Sequence, residues 1–209
     1  SILYAYNVSS QHFTIHHNTP LKPEWLQRLK SVDLILQKSE LYQQEQHINI
    51  CLNDGSYYPE LIKKIQGGAF ARGFHKQVVL MANDYCTKNH TELYGYCWNL
   101  TDLIAHECTH CMQYLALGLL RSNPVANIPT WKWEGYPEYI ARGHKYTLAN
   151  NIETLLQSQQ KDKKWITEFY EHYAKVDNQT ELHFKKRSVK SENDIEFVYL
   201  NLIRSNLFN

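Results

Sequence analysis

The residues with the clearest capacity for chemistry are His106-Glu107-Cys108-Thr109-His110. Two histidines at i and i+4 stack on one face of a helix, where both imidazoles can reach a single metal ion. Glu107, one residue along, projects beside that ion and can take a proton from a water bound to it. Two imidazoles are an incomplete set, because a site that keeps one position open for water needs three protein ligands. The third should come from a second helix laid across the first. The segment Trp131-Lys132-Trp133-Glu134-Gly135-Tyr136-Pro137-Glu138-Tyr139 supplies it, with a carboxylate 24 residues after His110.

These side chains need two helices to hold them. Asn99-Leu100-Thr101-Asp102 reads as a helix start: Asn or Thr can cap free N–H groups, and Asp102 suits the positive end. The helix should run to about Gly118. Leu103, Cys111 and Tyr114 share the histidine side, while Ile104, Cys108, Met112, Leu115 and Leu119 form a wide apolar surface. A helix this apolar belongs inside the protein, where two histidines and a glutamate without partners would be costly. After a loop with Pro124 and Pro129, residues 134–145 read as the second helix, with Pro137 tolerated in its first turn.

The rest of the chain supplies the platform. Strands are expected at 2–7, 12–17, 47–52, 69–74 and 77–81, helices at 24–38 and 58–66, and a loop over 82–98. Pro23 opens the first helix, whose apolar positions are Trp25, Leu26, Leu29, Val32 and Leu36. Gly67-Gly68 stops the second. Gly68 and Gly73 permit close backbone approach. His12, His16 and His17 share no ligand spacing with a partner and read as strand surface. Beyond residue 148 everything looks helical, with runs near 149–160, 163–175 and 191–205. The pattern is α+β: one domain over 1–209, with a mixed part (1–98), the metal-binding helices (99–147) and a helical C-terminal part (148–209).

HExxH followed by a tryptophan-rich Glu-Gly segment resembles the gluzincin metallopeptidases, which include thermolysin-like and aminopeptidase-N-like enzymes. Pro129, Trp131, Glu134, Gly135, Glu138 and Tyr139 are similar, more narrowly, to the P-x-W-x-x-E-G-x-x-E/D-Y stretch of compact bacterial peptidase-like proteins. The resemblance covers residues 100–142. It implies a zincin-like fold, one Zn2+ ion held by His106, His110 and Glu134, and hydrolysis of a peptide or protein substrate with Glu107 as general base. Glu138 lies one helical turn beyond Glu134, where the resemblance implies a carboxylate that orients a ligand histidine. An oxyanion donor should come from Tyr or His, and Tyr139, His144 and Tyr146 are near enough in sequence. In zincin folds an edge strand before the motif helix pairs with the substrate backbone; residues 69–74 or 77–81 are the candidates. The alternative function is a peptidase-like module that binds zinc without turnover.

Cysteine offers a rival metal reading. Cys86, Cys97, Cys108 and Cys111 could in principle form a closed structural zinc site. Against it, Cys108 points about 160° away from His110 on a helix, and the spacings match no common zinc module. Cys86 and Cys97 could equally form a disulfide or stay as free thiols.

Composition sets the outer bounds. The 209 residues carry 22 Lys and Arg against 21 Asp and Glu, so no basic excess calls for nucleic acid. Apolar residues at 43% and aromatics at 13% describe a chain that folds around a core. No apolar run is long enough to span a bilayer. The start at Ser1-Ile2-Leu3, without methionine, suggests a longer precursor with a signal peptide or membrane anchor upstream, and an extracytoplasmic or membrane-tethered location.

Overall fold

The structure, a computed structural model, describes residues 3–82, 89–93, 96–128 and 130–142. The disulfide partner Cys86, the expected helices beyond residue 148, His144 and Tyr146 lie outside the described residues. A first compact unit runs from Ser1 to Ala126, and a second begins at Asn127. No helix among the described residues is long and apolar enough to cross a membrane.

The first unit is built on a mixed five-stranded sheet. Its strands are β1 (Tyr6–Ser9), β2 (Phe13–His17), β3 (Ile48–Cys51), β4 (Ala71–Phe74) and β5 (Gln77–Leu80), in the order β1-β2-β3-β5-β4. β2, β3 and β5 run parallel, while β1 and β4 pair antiparallel at the two edges. Parallel neighbours need crossovers. Helix α1 (Glu24–Leu36) joins β2 to β3, and α2 (Tyr57–Gln66) lies between β3 and β4.

Period decides what each element buries. On β2, Phe13, Ile15 and His17 are buried and alternate with half-buried Thr14 and His16. On α1 the buried set is Trp25, Leu29, Val32 and Leu36, one helical stripe; Leu26 falls off it and is exposed. Ser56 caps α2 by accepting from the Tyr58 amide at 3.2 Å, and Gly67 ends that helix at φ 82°, a conformation suited to glycine. The core gathers Phe13, Ile15, Ile48, Ile50, Val78 and Leu80 from the sheet, all at most 2% exposed. Each such side chain contributes roughly 1.5–3 kcal/mol by leaving water.

Several expectations shift. The first strand starts at Tyr6 instead of residue 2, because Tyr4 is buried with its hydroxyl donating to Leu52 O at 2.9 Å. The stretch expected to be a loop, 82–98, contains a hairpin: β6 (His90–Leu93) pairs antiparallel with β7 (Tyr96–Asn99). Its polar residues hid an alternation in which Thr91 is buried opposite Trp98. His12 and His17 are not on the surface; they are 4% and 5% exposed. His12 is buried because Asp33 of α1 receives its Nδ1 at 2.7 Å, and His17 Nδ1 donates to Thr19 O at 2.8 Å.

The motif-bearing helix α3 (Leu100–Leu117) packs on β4, β5 and α1. Gly118 closes it at φ 78°, and its amide donates to Tyr114 O. A one-turn 3₁₀ helix, Leu119–Arg121, follows, so Leu119 is no part of the apolar helical surface and is 49% exposed. In the second unit, α4 spans Thr130–Arg142, beginning four residues before the expected start. Pro137 is therefore inside the helix, not in its first turn. Lacking an N–H, it cannot donate a helical hydrogen bond of its own.

Candidate metal centre

The centre is built on α3, whose start is tied down by the side chains of Asn99 at the end of β7, Asn89 just before β6 and Arg28 of α1. Asn99 is extended at φ −65° and ψ 125°, and its Oδ1 accepts from the amides of Thr101 (3.0 Å) and Asp102 (3.2 Å). Asn89 Nδ2 donates to the same oxygen at 3.3 Å. In turn Asn89 Oδ1 accepts from Arg28 Nε of α1 at 2.8 Å and from Thr101 Oγ1 at 3.1 Å. A capped, side-chain-braced first turn fixes where the next two turns point.

Every residue from Asp102 to Tyr114 is buried. Such a segment must satisfy its own polar groups. Thr109 Oγ1 donates back to Ala105 O at 2.8 Å. Gln113, 0% exposed, places Oε1 at 2.8 Å from His110 Nδ1. Glu107, 9% exposed, has Oε2 at 2.5 Å from the amide of Gly73 on β4. That approach requires glycine: a Cβ at position 73 would lie 2.0 Å from the Glu107 carbonyl oxygen and 2.8 Å from its carbon. β4 is the outermost strand of the five, and β5 is interior, so of the two edge candidates only β4 lies at an edge.

His106 and His110 face the same way, with ring centroids 5.0 Å apart and planes at 75°. Trp98 of β7 meets His106 nearly perpendicularly at 5.8 Å and is itself backed by Phe70 at 6.1 Å. Further along α3, Tyr114 packs against Phe74 at 4.8 Å and donates its hydroxyl to Asn123 O at 2.5 Å.

His106, His110 and Glu134 form a group whose ligand atoms all lie within 4.8 Å of one another, and it could hold a metal ion. It is the one group of three such residues found among the described residues. The two histidines are buried and Glu134 is half-buried. Glu138 Oε1 accepts from Arg142 Nη2 one turn along α4. Tyr139 is half-buried.

Cys108 and Cys111 are fully buried free thiols, and burial pushes both well above the ordinary value. Cys111 Sγ lies 3.5 Å from Gln77 O. Cys111 thus faces β5, and both thiols act as small buried packing groups.

Gln113 and Trp98 had not been singled out in the sequence. For Gln113 a signal existed: it stands three residues after His110 on a helix already apolar enough to be buried. Trp98 lay in a stretch read as loop. Comparison with family models, curated proteins and solved structures finds no match.

Proposed function

We propose that this chain is a zinc-dependent peptidase of the gluzincin kind, with His106, His110 and Glu134 as ligands and Glu107 as general base. The observation that carries the reading is the convergence of two buried imidazoles and a carboxylate within 4.8 Å. A two-histidine, one-glutamate set is a donor set characteristic of catalytic zinc. The His110–Gln113 hydrogen bond fits the same assignment, because a ligating histidine commonly engages its second nitrogen with a fixed acceptor. The α+β architecture and the edge position of β4 agree with a zincin-like fold.

When bound, zinc supplies a water of pKa near ~7 and polarises the scissile carbonyl. The chain's own groups would do the rest. Glu107 would accept a proton from the attacking water and return it to the leaving amine. The Gly73 amide holds the Glu107 carboxylate in place for that transfer. The outer edge of β4, whose Gly73 amide is engaged by Glu107, is where an extended peptide would pair in this reading.

The test is elemental analysis of dialysed wild-type protein and of Glu134→Ala, followed by a peptide-library assay. About one zinc per chain in the wild type, lost in the variant, with cleavage by the wild type, is the expected result. Zinc retained by Glu134→Ala removes that residue from the site. No metal in either protein overturns the reading.

A further inference from the structure

We infer that Gln113 is a positioning residue that fixes the tautomer of His110, leaving Nε2 as the nitrogen available to a metal. The inference rests on the metallopeptidase reading for its functional meaning, but its physical content stands on the imidazole–amide pair alone. A neutral imidazole has one N–H and one lone pair, and a metal needs the lone pair. Gln113 directs its amide oxygen at Nδ1 over 2.8 Å, and an amide oxygen only accepts. Nδ1 must therefore carry the proton, and the lone pair falls on Nε2.

The opposite arrangement is easily written and would be inert. With the amide rotated, its NH2 would donate to Nδ1, the proton would sit on Nε2, and neither nitrogen could serve a metal. The orientation of one amide thus separates a competent ligand from an incompetent one. Burial makes the choice firm: His110 is 6% and Gln113 0% exposed, so water cannot readily replace the amide as acceptor. Both side chains sit on α3 at i and i+3, so the helix itself sets their separation. The role assigned by resemblance to a carboxylate, Glu138, is here performed for His110 by a neutral amide on the same helix. A neutral acceptor orients the ring without adding negative charge to the centre.

Long-range 1H–15N correlation spectra of the metal-free full chain read the tautomer directly, and competition against a chromophoric chelator reads the affinity for Zn2+. In the wild type the His110 ring should show a protonated Nδ1 and a bare Nε2. Gln113→Met, of similar length but with no comparable acceptor, should lose that preference and weaken zinc binding by roughly 10–100-fold. Gln113→Glu, which keeps the acceptor, should retain both. A wild-type ring protonated on Nε2 overturns the inference, and this holds even if Gln113→Met fails to fold. A folded Gln113→Met with the wild-type tautomer and wild-type zinc affinity also overturns it. The expected tautomer in a wild type that takes up no zinc upholds the inference about Gln113 while sinking the metallopeptidase reading.

Discussion

The amide of Gly73 lies 2.5 Å from Oε2 of Glu107, and the carbonyl of the same glutamate occupies the place a Cβ at position 73 would need. Edge strand and motif helix therefore touch backbone to backbone at the residue read as the base. Two elements far apart in sequence are fixed to each other there by the absence of one methyl group.

Gly73→Ala should force β4 and α3 apart. The added carbon would meet a backbone oxygen at 2.0 Å, which no side-chain rotation can relieve. Overpacking of this kind costs about 1–3 kcal/mol, and here the upper end is expected. Urea unfolding of the two proteins measures it; a stability within about 0.5 kcal/mol of wild type would show that the approach is not constrained as described.

Glu107→Gln separates catalysis from metal binding. The substitution keeps an oxygen for the Gly73 amide but removes the capacity to take a proton. Zinc content should be unchanged, while peptide hydrolysis falls by at least ~100-fold. If the chain is instead a binding module, wild type and variant will bind zinc alike and neither will turn over peptide.

Much of this centre was legible in the sequence, and the reasons are local. Asn99 and Gly118 mark the ends of α3 with side-chain and backbone chemistry that acts over one turn, so its bounds, Leu100–Leu117, were readable. The hairpin Tyr96–Asn99 with His90–Leu93 was not, because its apolar face appears only once Trp98 has Phe70 and His106 to pack on. The start of α4 is hidden by Pro137, because proline suits a first turn whereas this helix carries it internally. His12 looked like a surface residue because its partners, Asp33 and Tyr42, are 21 and 30 residues away. Gln113 was passed over for a related reason: a polar residue in a helix suggests solvent until the ring it serves is seen.

Asn99→Ala should loosen the start of α3. It removes the acceptor for the Thr101 and Asp102 amides, and caps of this type contribute about 1 kcal/mol. Asn99→Asp keeps the acceptor and should recover most of that stability. Thermal unfolding of both variants checks the point, and equal losses in the two would mean that the cap is not the source.

The buried thiols should make the fold sensitive to alkali. Burial raises Cys51, Cys108 and Cys111 above the ordinary thiol value of 9.0, so the folded state favours the protonated form. Their contribution is complete below that value and is lost as pH climbs beyond it, because the unfolded chain then sheds protons that the folded chain keeps. The urea midpoint should therefore fall between pH 8 and pH 10, as ~9 is crossed. Iodoacetamide followed by peptide mass spectrometry gives an independent check: these three cysteines should react only after unfolding. Native labelling of Cys108 or Cys111 would contradict their burial.

Trp98 and Asn99 are adjacent yet serve opposite duties: one rests on the ring of His106, the other caps the helix that carries it. A strand reverses its faces with every residue, and a helix turns by about 100° with each. Inserting or deleting one residue between positions 98 and 106 would disturb both alignments together, and a change between 106 and 110 would move one imidazole off the shared face. Chain length across this junction is consequently far less free to vary than the identity of many residues within it. Among homologues the span from 98 to 110 is expected to keep its length even where residues other than Asn99, His106, Glu107 and His110 differ.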